Sequence, residues 1–209
     1  QYTFPIEARD QKGAKGLNAS DLIYLVFPDR FANGDDTNDN MPAMLEPKAD
    51  RAGLKSRHGG DIQGISNHLD YFQELGVTAL WLNPVLENNQ PYESYHGYAA
   101  TDLYKVDPRI GSNETYKRLV ADCHQKGIKV IWDVVYNHWG NEHHLFKNLP
   151  DSNWVHWFPR FTRTSYRAET LMDPYASKAD RDIMTNAWFD KHMPDLNQQD
   201  PHLARYLIQ

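Results

Sequence analysis

The stretch IKVIWDVVYNH, residues 128–138, decides the fold. Residues 128–135 are almost continuously apolar and β-branched, which predicts a parallel strand that is covered on both faces. The same stretch carries Asp133, Asn137 and His138 toward the carboxyl end of that strand. Because α/β folds place their chemistry at the carboxyl ends of parallel strands, these side chains predict a functional site there.

Two more apolar runs of strand length precede this one, LIYLVF at 22–27 and VTALWL at 77–82. A helix is predicted after the first run, and Gly76 stands where it should end. Ser112 or Asn113 can cap a second helix, which should end at Gly127. The residues at helical spacing are, in order, Ile62, Ile65, Leu69 and Phe72, then Tyr116, Leu119, Val120 and Cys123.

The order of these elements is βαβαβ, with connections long enough for parallel strands and right-handed crossovers. This order predicts an α/β fold, the N-terminal portion of a (β/α)8 TIM barrel, rather than a sandwich. A self-contained sheet of three strands is the alternative. Residues 140–192 lose the regularity and predict a lid or small subdomain, after which Asp200 and Pro201 should begin a third helix.

The composition excludes several classes of protein. The 209 residues carry a net charge of −6 and no run of five like charges, which argues against nucleic acid or an anionic membrane as a partner. No apolar run approaches the roughly 18 to 20 residues of a membrane span. The N-terminal residues show no signal-peptide pattern, so a signal, if the protein is exported, should lie upstream. The single cysteine, Cys123, is predicted to lie in the core.

Together with YHGYAATD at 95–102 and MPDLN at 193–197, the opening stretch resembles the α-amylase superfamily, glycoside hydrolase family 13. Within it, the resemblance is to the neopullulanase and cyclomaltodextrinase group, and it runs from about Leu22 to the end of the chain. It implies a barrel with a domain B inserted after the third strand. The expected divisions are a lead-in at 1–20, three βα units at 21–139, domain B at 140–197, and the truncated third helix at 198–209.

Retaining hydrolysis of a glycosidic bond requires two carboxyl groups about 5 Å apart. In the family these groups follow the fourth and fifth strands, and a third aspartate follows the seventh, so all of them are expected beyond Gln209. No stretch of this chain matches the family's nucleophile motif. The chain alone is therefore predicted to bind and position sugar without cleaving it.

The resemblance also assigns sugar-binding residues. Tyr98 resembles the tyrosine that stacks on the sugar at the cleavage subsite, and His96 could reach the neighbouring sugar. His138, preceded by Asn137, resembles the histidine that bonds sugar hydroxyls. Asp133 is expected to orient an arginine from the rest of the barrel. The alternatives are a tyrosine that packs on the barrel rim and a structural histidine.

The second candidate site is the loop NGDDTND at 33–39 together with GGD at 59–61. Its oxygen donors suit a hard cation, although the spacing alone fits a solvated Asx-rich turn equally well. The resemblance implies a structural calcium ion, with Gly59 acting through its carbonyl and Asp61 through its carboxylate. The other implied ligands are Asn33, Asp35, Asn38 and Asp39.

A rival reading assigns zinc to three histidines of the stretch at 137–144, but their offsets match no zinc motif. These histidines are His138, His143 and His144. In domain B, aromatic side chains could stack on sugar or form a small core, and the core is favoured for most of them. They are Trp154, Trp157, Phe158, Trp188 and Phe189. Asp195 and Asn197 match a family signature that supports the cleft wall. One departure from the family pattern is Ala99, which stands where the family usually has an aspartate after the stacking tyrosine.

The expected function is retaining hydrolysis of α-1,4, and also of α-1,6, glucosidic bonds in starch, pullulan or cyclodextrins. A glucosyl-transferring relative and a non-catalytic α-glucan-binding protein are the alternatives. The expected partners are an α-glucan and the rest of the chain's own barrel, and a homodimer is left open. A periplasmic or extracellular location is favoured over the cytoplasm, because structural calcium is easier to keep bound there.

Overall fold

The computed structural model describes residues 16–208, and these contain one parallel sheet in the order β1-β2-β3. The strands are β1 (Ile23–Val26), β2 (Ala79–Leu82) and β3 (Lys129–Trp132). The parallel βαβαβ arrangement confirms the fold class predicted from the sequence. Most of the predicted lead-in at 1–20 lies outside the described residues.

The strands are shorter than predicted, and the prediction that each is buried on both faces is wrong. Leu25 and Trp81 pair in register and are both exposed, whereas Val26 and Leu82, one position further on, are buried. Among residues 16–208, the helices that follow β1 and β2 pack on one face of the sheet only. Trp132 pairs with the buried Leu82 on the face that the helices cover, but it is exposed because it stands at the end of the outer strand β3.

The helices lie mainly in the connections and in the segment that follows β3. They are α1 (Pro28–Phe31), α2 (Ile62–Ser66), α3 (Leu69–Glu74), α4 (Asn113–Gln125), α5 (His144–Lys147), α6 (Glu169–Met172), α7 (Lys178–Asn186) and α8 (Pro201–Ile208). The predicted third helix is α8, and the Asp200 carboxylate caps it by accepting from the backbone N–H groups of His202 and Leu203. None of the helices among residues 16–208 is long and apolar enough to cross a membrane.

The first predicted helix is divided into α2 and α3. The imidazole Nδ1 of His68 bonds the carbonyl oxygen of Gly64 at 2.7 Å, and the backbone N–H of His68 turns to Ile65 instead. This exchange ends the first helical segment, because that carbonyl would otherwise accept from the N–H of residue 68. The four apolar residues predicted for one face are nevertheless all buried, and Gly76 follows α3 with a φ of +81°.

Helix α4 agrees closely with the sequence prediction. Ser112 and Thr115 form a reciprocal capping box at its start, and Gly127 follows its end with a φ of +73°. Leu119 and Cys123 are fully buried against the sheet. The burial of Cys123 confirms it as a core residue, and burial also raises the pKa of its thiol to about 12.

Two apolar cores follow from this arrangement. The first lies between the sheet and helices α2 to α4. The second joins residues of the segment 140–197 to α8 and consists of Trp139, Trp154, Val155, Trp188, Leu196, Leu203 and Leu207. The segment predicted as domain B therefore packs against the predicted third barrel helix, while the domain boundaries themselves stay a prediction.

The amino ends of the three strands are joined by polar side chains. Lys129 donates to both carboxylate oxygens of Asp21, at 2.8 and 2.7 Å. The Thr78 hydroxyl donates to Asp21 at 2.9 Å and accepts from the backbone N–H of Leu22. One carboxylate thus connects residues that come just before β1, before β2 and at the start of β3.

Candidate functional site

Two of the predicted site residues, Tyr98 and Asp133, meet at the carboxyl ends of β2 and β3. Asp133 directly follows β3, and the hydroxyl of Tyr98 donates to its Oδ2 at 3.0 Å. The indole N–H of Trp81 donates to the same oxygen at 3.1 Å. Burial and the neighbouring Asp133 raise the pKa of Tyr98 to about 12, so its hydroxyl keeps the proton that it donates.

His138 is buried and uses both of its ring nitrogens within the protein. Its Nε2 lies 2.9 Å from the backbone carbonyl oxygen of Tyr98, which can only accept, so Nε2 carries the hydrogen. Its Nδ1 then accepts from the side-chain amide of Asn137 at 3.2 Å. Burial, opposed by the Tyr98 carbonyl, lowers the pKa of His138 to about 4. The ring is therefore neutral at pH 7 and holds the backbone that carries Tyr98.

His96 contacts both the backbone and the ring of Tyr98. Its Nδ1 accepts from the backbone N–H of Tyr98 at 2.8 Å, and its ring stacks on the tyrosine ring with centroids 6.0 Å apart. Burial, and to a lesser extent the neighbouring His192, lowers the pKa of His96 to about 4. A neutral His96 that accepts at Nδ1 presents an N–H at Nε2, which is a donor suited to a sugar hydroxyl.

A second layer fixes the segment that carries His138. Asp195 is buried, pairs with His138 in an isolated β-bridge and accepts from His156 Nδ1 at 2.7 Å. Burial raises the pKa of Asp195 to about 6, although His156 and the side chain of Asn137 oppose that rise. Asn197 donates to the carbonyl oxygen of Asn153. The two polar residues of MPDLN therefore bond other residues of the long segment.

The loop predicted to bind calcium is organised around Asp61. This fully buried carboxylate caps α2 through Gly64 N–H and also accepts from Gly34 N–H, Asp35 N–H and the side-chain amide of Asn38. Asp35 is exposed and accepts from the backbone N–H and the hydroxyl of Thr37. Both carboxylates thus already bind protein donors, as in the Asx-rich turn that the spacing also allowed.

Other atoms of the loop nevertheless fit a cation. The buried carbonyl oxygen of the Asn38 side chain has no hydrogen-bond partner among the described residues. The Asp39 carboxylate accepts from the Asn33 amide and lies so close to Gly59 that a Cβ there would come within 2.2 Å of its Oδ1. Among residues 16–208, no three His, Cys, Asp or Glu side chains are grouped as a metal site. A calcium ion would therefore need amide and carbonyl oxygens as well as carboxylates.

The histidines of the rival zinc reading have other partners. His143 is fully buried, stacks on Trp139 with centroids 4.2 Å apart and accepts from Leu145 N–H through Nδ1. Its Nε2 faces the hydroxyl of Tyr206 at 3.2 Å, and its ring also stacks on His144. Burial lowers the pKa of His143 to about 3. These contacts describe a structural residue of the second core.

The aromatic side chains of the segment 140–197 divide into two groups. Trp154 and Trp188 are buried in the second core, as predicted. Trp157, Phe158 and Phe189 are between 37% and 44% exposed, so the prediction that most of the five form core is wrong. Hydrophobic periodicity did not separate the groups, because the segment has no long helix or strand whose faces could be told apart.

Three residues near the site were not singled out from the sequence. The unbroken apolar run predicts Trp81 inside a strand buried on both faces, although the indole N–H that reaches Asp133 is a polar group that usually finds a partner. His156 and His192 carried no motif. The backbone carbonyl of His192 accepts from Asn141 N–H, which attaches the end of the long segment to the residues just after His138.

A cavity lies beside the outer strand β3, apart from these polar groups. It has a volume of about 450 Å³ and is bordered by the end of β3, the residues before α4 and the end of α8. Its lining is mostly apolar and includes Leu103, Val106, Tyr116, Trp132, Val135 and Leu207. None of Tyr98, Asp133 and His138 lines this cavity, so it is separate from the polar site.

Comparison with known proteins gives a consistent result. A family described as "Alpha amylase, catalytic domain" matches residues 25–209. The chain is 35% identical to a cyclomaltodextrinase of Thermoanaerobacter pseudethanolicus, over 90% of this chain and 31% of that protein. It is 32% identical to neopullulanase 2 of Thermoactinomyces vulgaris, over 90% of this chain and 30% of that protein. The chain thus spans about a third of the length of these relatives.

A solved structure agrees with these relatives. The Anoxybacillus α-amylase superimposes with a TM-score of 0.73 at 34% identity, covering 90% of this chain and 36% of that one. The names of two other relatives state different cellular compartments. The intracellular maltogenic amylase of Bacillus subtilis is 31% identical over 99% of this chain and 33% of that protein. The periplasmic α-amylase of Escherichia coli is 38% identical over 56% of this chain and 19% of that protein.

Proposed function

Because the chain belongs to the α-amylase catalytic-domain family, we propose that the protein containing it hydrolyses α-1,4, and also α-1,6, glucosidic bonds of α-glucans with retention. The observation that carries this proposal is the connected set Tyr98, Asp133 and His138 at the carboxyl ends of β2 and β3. The catalytic carboxylates are proposed to come from the part of the barrel beyond Gln209. Starch, pullulan and cyclodextrins are the proposed substrates.

Tyr98 is proposed to stack on the sugar at the cleavage subsite. Its ring is held from two sides, through its hydroxyl by Asp133 and through its backbone by His96 and His138. A ring fixed in this way loses little conformational entropy when a sugar binds. His96 is proposed to donate its Nε2–H to a sugar hydroxyl. His138 and Asn137 are proposed to contribute to binding of the sugar that stacks on Tyr98. They do so mainly because His138, held by Asn137, positions the Tyr98 backbone.

Asp133 is proposed to orient an arginine of the same barrel. Among residues 16–208, both of its hydrogen-bond donors, Trp81 and Tyr98, reach Oδ2. Oδ1 is therefore the oxygen that a guanidinium group from a neighbouring strand could take. Such an arrangement pairs the carboxylate with a cation, as buried or partly buried carboxylates in a cleft require.

We further propose that a structural calcium ion binds the loop at 33–39 and 59–61. The proposed ligands include the partnerless carbonyl oxygen of Asn38, the Asp39 carboxylate and the Gly59 carbonyl. Asn33, Asp35 and Asp61 complete the proposed set, and Asp61 would then share its oxygens with the N–H groups that it already accepts from. The ion would fasten the loop after β1 to the start of α2.

The test of the enzymatic proposal is an assay of the full-length protein for new reducing ends from starch, pullulan and cyclodextrin. We expect hydrolysis, with the first product formed as the α-anomer when proton NMR follows the anomeric signal. Products longer than the substrate would support a transferase instead, and binding without bond cleavage would support an α-glucan-binding protein. Residues 1–209 expressed alone are expected to be inactive in the same assay.

A periplasmic or extracellular location stays a proposal, and it is supported by the α-amylase of Escherichia coli that is named for the periplasm. The intracellular amylase of Bacillus subtilis supports the alternative. Fractionation of the source cells with an antibody to the protein distinguishes the two. Light scattering of the full-length protein tests whether it is a monomer or a homodimer.

A further inference from the structure

His156 is a partly exposed histidine of the long segment that bonds a buried carboxylate behind the candidate site. Its Nδ1 lies 2.7 Å from Oδ2 of Asp195, whose side chain is only 5% exposed. The backbone of His156 is held as well, because its N–H donates to the carbonyl oxygen of Asp195 at 3.0 Å and its carbonyl oxygen accepts from Trp188. The fold itself therefore sets the contact between the imidazole and the carboxylate.

The Asp195 carboxylate connects His156 to Asn137. Burial raises the pKa of Asp195 to about 6, against hydrogen bonds from His156 and from the side chain of Asn137 that lower it. Both bonds therefore favour the ionised carboxylate, which can only accept hydrogen bonds. An ionised Asp195 attracts the NH2 end of the Asn137 amide rather than its oxygen.

The orientation of the Asn137 amide decides which nitrogen of His138 carries the hydrogen. Because Nε2 of His138 donates to the Tyr98 carbonyl oxygen, its Nδ1 has a free lone pair and needs a donor, which Asn137 supplies at 3.2 Å. If the amide turned over, its oxygen would face that lone pair. The ring would then favour a hydrogen on Nδ1, and an Nε2 without hydrogen would face the Tyr98 carbonyl oxygen.

Burial of Asn137 does not set this orientation. Asn137 is exposed, so either end of its amide can bond water, and the acceptor at Asp195 is what distinguishes the two ends. Burial of Asp195 works against that acceptor, because a desolvated carboxyl group favours its protonated form. The bond from His156 opposes this effect of burial and favours the ionised carboxylate.

We propose that His156 is a positioning residue of the candidate site. By donating its Nδ1–H to Asp195, it keeps that carboxylate an acceptor. The carboxylate then orients the Asn137 amide, and the amide fixes the tautomer of His138 that holds the Tyr98 backbone. The inference rests on the proposed function for its effect on hydrolysis, whereas the tautomer of His138 can be observed without a substrate.

Nitrogen-15 NMR of the full-length protein, labelled at histidine, observes the tautomer of His138 directly, and the variant His138→Gln identifies its signals. At pH 7 we expect the hydrogen on Nε2 in the wild type and in His156→Gln, whose amide can still donate to Asp195. His156→Ala should show a mixture of both tautomers. His156→Phe, which fills the space of the ring without a donor, should do the same. A tautomer that is unchanged in both of the last two variants would overturn the inference.

Hydrolysis of maltohexaose by the same full-length variants gives a second readout. In His156→Ala the acid limb of the kcat/KM profile should move upward by about one pH unit, because Asp195 loses a bond that favours its ionised form. At pH 7 kcat/KM should be about fivefold lower, mainly through KM, and the loss should shrink toward pH 9. The other titratable groups beside His138, which are His96 and His192, are the same in each of these variants.

Two variants complete the kinetic test. His156→Gln should stay within about threefold of the wild type at every pH. His124→Ala is the matched control, since His124 is an exposed histidine of α4, and its profile should not change. An equal loss at every pH that His156→Gln does not recover would show that the ring only supports the fold, and would overturn the inference. If the wild type hydrolyses no α-glucan, the proposed function fails, while the NMR result still decides whether His156 sets the tautomer of His138.

Discussion

Replacing Asp61 with alanine should destabilise the protein by about 4 kcal/mol. The carboxylate is fully buried and accepts from four donors. Two of these, the N–H of Gly64 and the amide of Asn38, belong to buried residues, and each would lose its partner at about 1–3 kcal/mol. The N–H groups of Gly34 and Asp35 belong to exposed residues and can turn to water. The expected loss is a large part of the roughly 5–15 kcal/mol that stabilises a typical domain.

The measurement is urea unfolding followed by circular dichroism, once with a chelator and once with calcium. Asp35→Ala is the control, since that exposed carboxylate caps a single turn and should cost about 1 kcal/mol. The variant Asp39→Asn distinguishes stabilisation by calcium from stabilisation by hydrogen bonds within the loop. With the chelator it should unfold much as the wild type does, because among residues 16–208 the Asp39 carboxylate accepts only from the Asn33 amide, but calcium should no longer stabilise it. A loss below about 1 kcal/mol for Asp61→Ala in the chelator would refute the reasoning.

Three further outcomes are expected. Tyr98→Phe keeps the ring but removes the hydrogen bond to Asp133, so kcat/KM of the full-length protein should fall about tenfold, and Tyr98→Ala should lower it by a further order of magnitude. Because burial raises the pKa of Asp195 to about 6, this group stabilises the fold most below about pH 4, and that contribution is lost as the pH rises through 6. The unfolding free energy of the wild type, relative to Asp195→Asn, should therefore fall between pH 4 and pH 6, and a flat difference would contradict the assignment. Cys123 should react with a thiol reagent at least about 100-fold more slowly in the native protein than in urea, because its thiol is buried with a pKa of about 12, and rapid native labelling would show that α4 opens readily.

The features predicted well from the sequence are those set by local pattern. Three such features predict the parallel sheet and α4: the apolar runs, the long connections between them and the cap at Ser112. Each can be identified from residues close together in the sequence or from the length of a segment. The break between α2 and α3 also has a local cause, but it is a competition between the His68 side chain and its own backbone. Hydrophobic spacing does not register such a competition.

The parts of the candidate site that were missed depend on contacts between distant residues. Phe189 lies 51 positions after His138, and neither position indicates that the two rings stack. Trp81 sits in an unbroken apolar run, where a period-two pattern is missing, so the face that carries its indole could not be identified. Likewise, the oxygen-rich loop at 33–39 predicts ligands for a cation. In the folded protein, backbone N–H groups of that loop donate to the Asp61 carboxylate, a contact that the loop sequence does not indicate.

The bonds of Asp21 with Thr78 and Lys129 lie at the opposite end of the strands from Tyr98 and His138. A protein built in this way can vary its specificity at one rim while the other rim preserves the alignment of the strands. Substitutions along the cleft leave that alignment intact, so selection and directed evolution can change many cleft residues without loss of the fold. Loss of the Asp21 carboxylate would instead disturb every strand together and narrow the range of cleft variants that still fold.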